Sequence, residues 1–260
     1  MKFASILISS ALLSAALVSC GPRSSQNSDV KIVGGNLVSG RSPIAAVTVA
    51  LVYSAVGHEY FCTGTLIGVR TVLTAAHCVE GIEASDIGIS FGLQANTAPF
   101  IGAASAVKHE SFDNAMMDAQ SPNGPSNDIA IVTLEADAPS GFRPTTPLTI
   151  ADSVELGEDL VLAGYGLTTT QQNATEGTLR QVTTEITLLG DTRKELEFGN
   201  HAGRSACNGD SGGPAFVRRD GQLKLVGVTS RGNSECDKEG IYTDARYFSE
   251  WIKDHTLQGL

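Results

Sequence analysis

Between residues 45 and 229 the chain repeatedly spells short apolar or alternating runs, each cut off by glycine, proline, asparagine or aspartate. Residues 45–53, 65–67, 72–74, 129–134, 159–163 and 223–229 are such runs, rich in β-branched and aliphatic side chains. Runs this short suit half-buried or buried strands better than helices, which need a longer periodic stretch. Arg218-Arg219-Asp220-Gly221 stands before the last of them and reads as a hairpin turn, because Asp-Gly tolerates the positive φ that a two-residue connection demands. Regularly spaced short strands predict an all-β chain, an antiparallel barrel or sandwich. Helical spacing is convincing only at the end. There Tyr247, Phe248, Trp251 and Ile252 share one face and read as core packing.

With 260 residues the chain can build one large all-β unit or two small domains. Its formal net charge is −10 and no Lys/Arg cluster interrupts the acidity, so no nucleic-acid partner is expected. Met1-Lys2 and the apolar, small-residue-rich residues 3–18 read as a targeting segment, too short for a comfortable membrane span. Residues 21–29 carry no apolar pattern and read as a tether. Residues 116–127, rich in Asp, Asn, Pro and Gly, read as a surface loop.

Three short segments carry chemistry. Gly209-Asp210-Ser211-Gly212-Gly213-Pro214 sets a serine among glycines, where a substrate can reach it and flanking N–H groups can receive an oxyanion. Unactivated serine is a poor nucleophile and needs a base within hydrogen-bond reach. Of the five histidines, His58, His109, His201 and His255 stand in polar or terminal surroundings and read as solvated surface residues. His77 alone follows a strand, in Thr74-Ala75-Ala76-His77-Cys78. A buried carboxylate behind that histidine would hold its tautomer, and Asp128 in Asn127-Asp128-Ile129-Ala130-Ile131 supplies one at the mouth of an apolar strand.

These segments, in the order His, Asp, Ser, resemble the chymotrypsin/trypsin family of serine endopeptidases from Ile32 onward. The resemblance implies two six-stranded antiparallel β-barrels packed around a catalytic cleft, with a C-terminal helix. One barrel would span about 32–140 and the other about 141–260, with the boundary near residues 139–147. His77, Asp128 and Ser211 would be the triad, and the N–H groups of Gly209 and Ser211 the oxyanion hole. Lys31-Ile32-Val33-Gly34-Gly35 is similar to the family's activation site. Residues 20–31 would then be a propeptide, and the new α-ammonium of Ile32 would pair with Asp210. The resemblance also implies disulfides Cys62–Cys78 and Cys207–Cys236; a zinc site is the rival reading, which no CxxC spacing supports. His201 stands where the family often has a cysteine.

That pairing leaves Cys20 over from five cysteines, an odd count for a secreted chain. Leu17-Val18-Ser19-Cys20 resembles the lipobox of bacterial lipoproteins, in which residues 1–19 are removed and the cysteine is acylated. An ordinary secretory signal cut nearby is the other reading. Either places the protein outside the cytoplasm, in keeping with disulfides. Cutting after Lys31 would then both activate the enzyme and release it from a membrane.

Specificity is where the family pattern thins. The pocket base falls on Ser205, beside Ala206, so the pocket resembles chymotrypsin-like ones, with Gly232 and Gly240 keeping it open. That implies cleavage after large apolar residues and a separate, trypsin-like activating protease. Ser230 would hydrogen-bond Asp128, and the backbone from Ser230 to Gly232 would pair with substrate. Arg231, where an aromatic wall is common, Glu235 and Asp237 bring charge nearby and read as pointing to solvent. Trypsin-like specificity stays open, as does a non-catalytic surface protein on the same scaffold. An esterase or transferase using acyl-enzyme chemistry is a third reading, without the Gly-x-Ser-x-Gly elbow of α/β-hydrolases. Protein or peptide substrates, no cofactor, no metal and a monomer complete the expectations.

Overall fold

A computed structural model of the chain describes residues 35–53, 59–117, 125–167, 176–199, 205–236 and 238–257. Strand β1 (Asn36–Leu37) is followed by a closed six-stranded barrel. Its strands are β2 (Thr48–Tyr53), β3 (Glu59–Gly68), β4 (Thr71–Thr74), β5 (Ile87–Ser90), β6 (Phe100–Lys108) and β7 (Ala130–Leu134), in the order β2-β3-β4-β7-β6-β5. All its pairings are antiparallel. A second barrel comprises β8 (Asp159–Gly164), β9 (Arg180–Gly190), β10 (Glu195–Phe198), β11 (Pro214–Arg219), β12 (Gln222–Arg231) and β13 (Gly240–Asp244). Its order is β9-β10-β13-β12-β11-β8, closed by β8 pairing back onto β9, while β1 adds to the outside of β9.

The β11–β12 hairpin turns at Asp220 and Gly221, both at positive φ (51° and 76°). Between the barrels, Arg143 N–H bonds Ala46 O and Thr145 N–H bonds Leu66 O, whereas Leu148 N–H bonds Leu225 O. The chain therefore changes barrels between Thr145 and Leu148.

Two apolar clusters follow from strand alternation. Leu160, Leu162, Val182, Ile186, Leu196, Phe198, Ala215 and Val217 fill the second barrel. Leu51, Leu66, Leu73, Ile89, Ile131 and their neighbours fill the first, and their cluster runs on through Val161, Phe216 and Val228 of the second. The barrels thus share one apolar seam, whose burial drives their docking.

Helix α1 (Ser249–Leu257) follows a 3-10 turn at Ala245–Phe248; the turn seats Phe248 in that seam and the helix seats Ile252. His109, expected at the surface, packs edge-on to Phe248 and against Trp251, each at 5.2 Å, and burial lowers its proton affinity. His255 stacks on Trp251 at 4.3 Å, so neither ring is simply solvated. His58 and His201 lie outside the described residues. The loop expected over 116–127 ends inside the protein, with Ser126 and Asn127 buried. No helix among the described residues is long and apolar enough to cross a membrane.

Candidate active site

The serine segment is bolted to both barrels by its own backbone. Asp210 N–H bonds Cys207 O and Gly213 N–H bonds Asp210 O, giving two successive tight turns. Gly212 N–H bonds Thr229 O on β12, and Thr63 N–H of β3 bonds Ser211 O at 2.8 Å. Gly212 has φ 79°, and a Cβ there would fall 2.1 Å from Thr74 Oγ1 and 2.4 Å from Thr63 O. Only glycine permits this approach, which sets Gly212, next to Ser211, against Thr74 and the Ala75 N–H that lead to His77. Gly212→Ala is expected to cost at least about 3 kcal/mol, from overpacking plus left-handed backbone strain, read as a lower urea midpoint.

Gly209, with φ 91°, is held through its carbonyl, which accepts the hydroxyls of Thr63 (2.9 Å) and Tyr60. Burial, and next the charge of Asp210, push the Tyr60 hydroxyl well above its usual range, so it stays a donor. Asn208 O accepts from Leu167 N–H at 2.8 Å, which turns the trans peptide's other end, the Gly209 N–H, the opposite way. Among the described residues neither Gly209 N–H nor Ser211 N–H is spent on a protein acceptor. Both remain available to a ligand oxygen.

His77 sits in a 3-10 turn, Ala76–Cys78, directly after β4. Ala75 and Ala76 are fully buried, which explains their size, and the Cys62–Cys78 disulfide staples the turn to β3. His77 Nδ1 lies 2.8 Å from Asp128 Oδ2, and His77 N–H donates to Oδ1 at 2.9 Å. Two carboxylate acceptors on one residue hold the ring with Nδ1 as donor, which leaves Nε2 the acceptor nitrogen. Asp128 is fully buried, and the second barrel supplies its other partners. Ser230 Oγ donates to Oδ2 at 2.7 Å, and Thr243 Oγ1 donates to the Asp128 carbonyl at 2.9 Å. His77 Nε2 faces Cys78 Sγ at 3.7 Å, and Ser211 Oγ makes no hydrogen bond to it in this structure. Such contacts often tighten only when substrate binds.

Beside Ser211 opens a cleft of about 330 Å³ lined by Ala206, Asn208, Ser230, Gly232, Ser234 and Gly240, among others, and rimmed by the Cys207–Cys236 disulfide. Ser205 is buried, with its hydroxyl spent on Ala206 O (3.0 Å) and Lys238 O (3.4 Å), so it brings no charge to the base. A Cβ on Gly232 would meet only Glu239 O, at an ordinary contact distance of 3.8 Å. Gly240 has a different reason to be glycine. A Cβ there would fall 2.3 Å from Cζ of Phe198, a ring of the barrel core. Arg231 corrects the expectation of a solvent-pointing charge. It turns inward, 9% exposed, and forms a two-pronged ion pair with Glu195, 3% exposed. Glu235 is exposed, with Asn233 and Ser234 donating to it. Asp237 lies outside the described residues.

Asp210 is buried with no cation against it among the described residues. Its oxygens accept from Gly166 N–H and Cys207 N–H, each at 2.9 Å. Burial pushes its carboxyl up to about 7 in spite of those bonds. Cys20, Lys31 and Ile32 lie outside the described residues.

Ser211, Ser230, Gly232 and Gly240 thus line one cleft, Ser230 joins it to the buried Asp128 and so to His77, and Gly209, Asp210 and Ser205 are not among its lining. Tyr60, Thr63, Glu195 and Thr243, which hold this arrangement, carry no local signature in the sequence. Cys62, His77 and Cys78 cluster closely enough to suggest a metal site, but the two sulfurs are bonded to each other.

Known proteins agree with the architecture. The model of the trypsin family matches residues 32–252. Kallikrein-8 of Mus musculus is 29% identical over 214 residues, covering 76% of this chain and 77% of its own. Trypsin epsilon of Drosophila erecta is 32% identical over 212 residues, covering 75% and 77%. Trypsin of Sus scrofa is 27% identical over 243 residues, covering 86% and 95%.

Proposed function

The chain belongs to the trypsin family, and from that premise we propose that it is an extracytoplasmic serine endopeptidase made as a zymogen. The observation that carries the reading is the buried Asp128 bonded to His77 at 2.8 Å, together with a serine whose own N–H and that of Gly209 are unspent among the described residues. In this reading His77 Nε2 takes the Ser211 Oγ proton as Oγ bonds to the scissile carbonyl carbon. The developing oxyanion is received by the N–H groups of Gly209 and Ser211, each such donor contributing roughly 3–4 kcal/mol to the transition state. Asp128 stabilises the imidazolium, which then hands its proton to the leaving amine. Water repeats the sequence on the acyl-Ser211 ester, releasing the second product and restoring Ser211.

Cutting after Lys31 would free an α-ammonium at Ile32 able to pair with Asp210, whose buried carboxyl has no cation against it among the described residues. An uncharged pocket base supports cleavage after large apolar residues, and hence activation by another, basic-specific protease. Two disulfides fit an oxidising, extracytoplasmic setting. There residues 1–19 would act as the signal, residues 20–31 as the propeptide and Cys20 as a lipid attachment point released on activation.

Intact-mass labelling with a serine-directed fluorophosphonate tests this on uncut protein, protein cut after Lys31, and Ser211→Ala. Labelling confined to the cut form with Ser211 is expected, and that form should cleave peptides fastest after Phe, Tyr, Leu or Met. Labelling of neither form would favour the non-catalytic binding protein. Equal labelling of both would discard the activation step, and preference for Lys or Arg would favour trypsin-like specificity.

A further inference from the structure

The Arg231–Glu195 pair is a costly thing to bury, because desolvating two charges consumes most of what their attraction returns. Its surroundings give it a role. Glu195 on β10 pairs in register with Thr243 on β13, and Arg231 on β12 lies opposite Ile241 of the same strand. The two side chains therefore meet across β13, with contacts of 2.9 and 3.0 Å.

One end of the pair reaches Asp128 through Ser230, and the other reaches Ser126 on the segment that leads to Asp128. Ser126 Oγ, two residues upstream of Asp128, donates to Glu195 Oε1 at 3.3 Å. Arg231 Nη1 donates to Ser230 Oγ at 3.4 Å, and Ser230 Oγ donates to Asp128 Oδ2 at 2.7 Å. A guanidinium has only donors, and a hydroxyl has one proton. With Arg231 on its lone pair, the Ser230 proton is aimed at Asp128, and Oδ2 is kept as the acceptor that His77 Nδ1–H needs. The loop bearing Asp128 belongs to the first barrel, so both contacts also tie it to the second.

Resting on the protease reading above, we infer that the Arg231–Glu195 pair is a positioning latch. It sets the direction of the Ser230–Asp128 hydrogen bond and fastens the Asp128 loop across the barrel seam. Neither residue touches the reacting atoms; both act through Ser230 and Ser126.

The test uses the cut enzyme and the double variant Arg231→Met/Glu195→Met, which leaves no unpaired buried charge and nearly conserves volume. On a short peptide ester, kcat should fall roughly 10- to 100-fold, as misplacement of a catalytic group costs. KM should stay within about twofold, and the downfield proton resonance of His77 Nδ1–H should move upfield. A merely structural pair would lower the melting temperature and leave kcat and the resonance alone, overturning the latch. A rise in KM confined to extended peptides, with kcat intact, would make Arg231 a substrate wall and overturn it too. If the double variant does not fold, Arg231→Lys decides, since a single ammonium nitrogen lacks the planar fork that places one nitrogen on each Glu195 oxygen while Nη1 also meets Ser230. Its kcat should fall several-fold at near-native melting temperature, and an unchanged kcat overturns the latch. Failure of wild-type cut protein to take up fluorophosphonate would overturn the protease reading itself, and the latch with it.

Discussion

In protein cut after Lys31, Ser211→Ala should lower kcat by about 10⁶-fold and Asp128→Asn by about 10⁴-fold. The first change removes the atom that would form the acyl bond, so only binding and oxyanion contacts remain. The second is the more informative. An asparagine at 128 can still accept the His77 backbone N–H through its oxygen, and the Ser230 hydroxyl can rotate to accept from its amide, so the fold has little reason to change. Its amide would, however, present N–H to His77 Nδ1 where a carboxylate oxygen now stands at 2.8 Å. The imidazole would then carry its proton on Nε2 and could not take one from Ser211. Steady-state rates on a peptide ester, with a melting curve for each variant, check both. A loss of less than tenfold for Asp128→Asn would remove Asp128 from the proposed role.

The uncut precursor should lose stability as the pH rises from about 4 to about 7, by about 4 kcal/mol. Burial pushes the Asp210 carboxyl up to about 7 in the folded chain, well above the ordinary carboxylate range. A carboxyl raised in the folded state binds more protons there than in the unfolded chain. Its stabilising contribution is therefore present below the unfolded value, declines through this window and is gone above about 7. Cutting after Lys31 should reverse the sign. An ammonium beside Asp210 favours the ionised form, so stability should then rise with pH through the acid range. Urea unfolding of uncut and cut Ser211→Ala protein between pH 4 and 8 measures the slopes, and adding Asp210→Asn isolates this group by difference. Identical slopes with and without Asp210→Asn would show that Asp210 does not govern activation.

Legibility along the chain followed the range of the interactions. Residues 72–74 and 129–134 were readable as strands because apolar β-branched side chains and flanking turns state their preference locally, and they became β4 and β7. The kernels at 65–67 and 223–229 grew into the longer β3 and β12, since pairing in a closed barrel draws in polar neighbours that have no strand pattern of their own. Strand β6, with Gly102, two alanines and Ser105 in its middle, shows little alternation and is a strand because β5 and β7 flank it.

The candidate site divides the same way. Local sequence by itself determined the all-β class, the Asp-Gly hairpin, the crowded glycines around Ser211 and the small residues before His77, because backbone conformation and side-chain volume are set within a few residues. Tertiary structure alone decided which way the charges point. Arg231 read as solvent-facing, since a long cation is rarely buried unless paired. Its partner Glu195 lies on another strand, brought opposite only by the register of β10, β13 and β12. The hydroxyls of Tyr60 and Thr63 on the Gly209 carbonyl likewise join β3 to a distant loop. Burying a charge or a donor is favourable only where a complementary group meets it, and for these residues that meeting exists only once the two barrels have closed and docked.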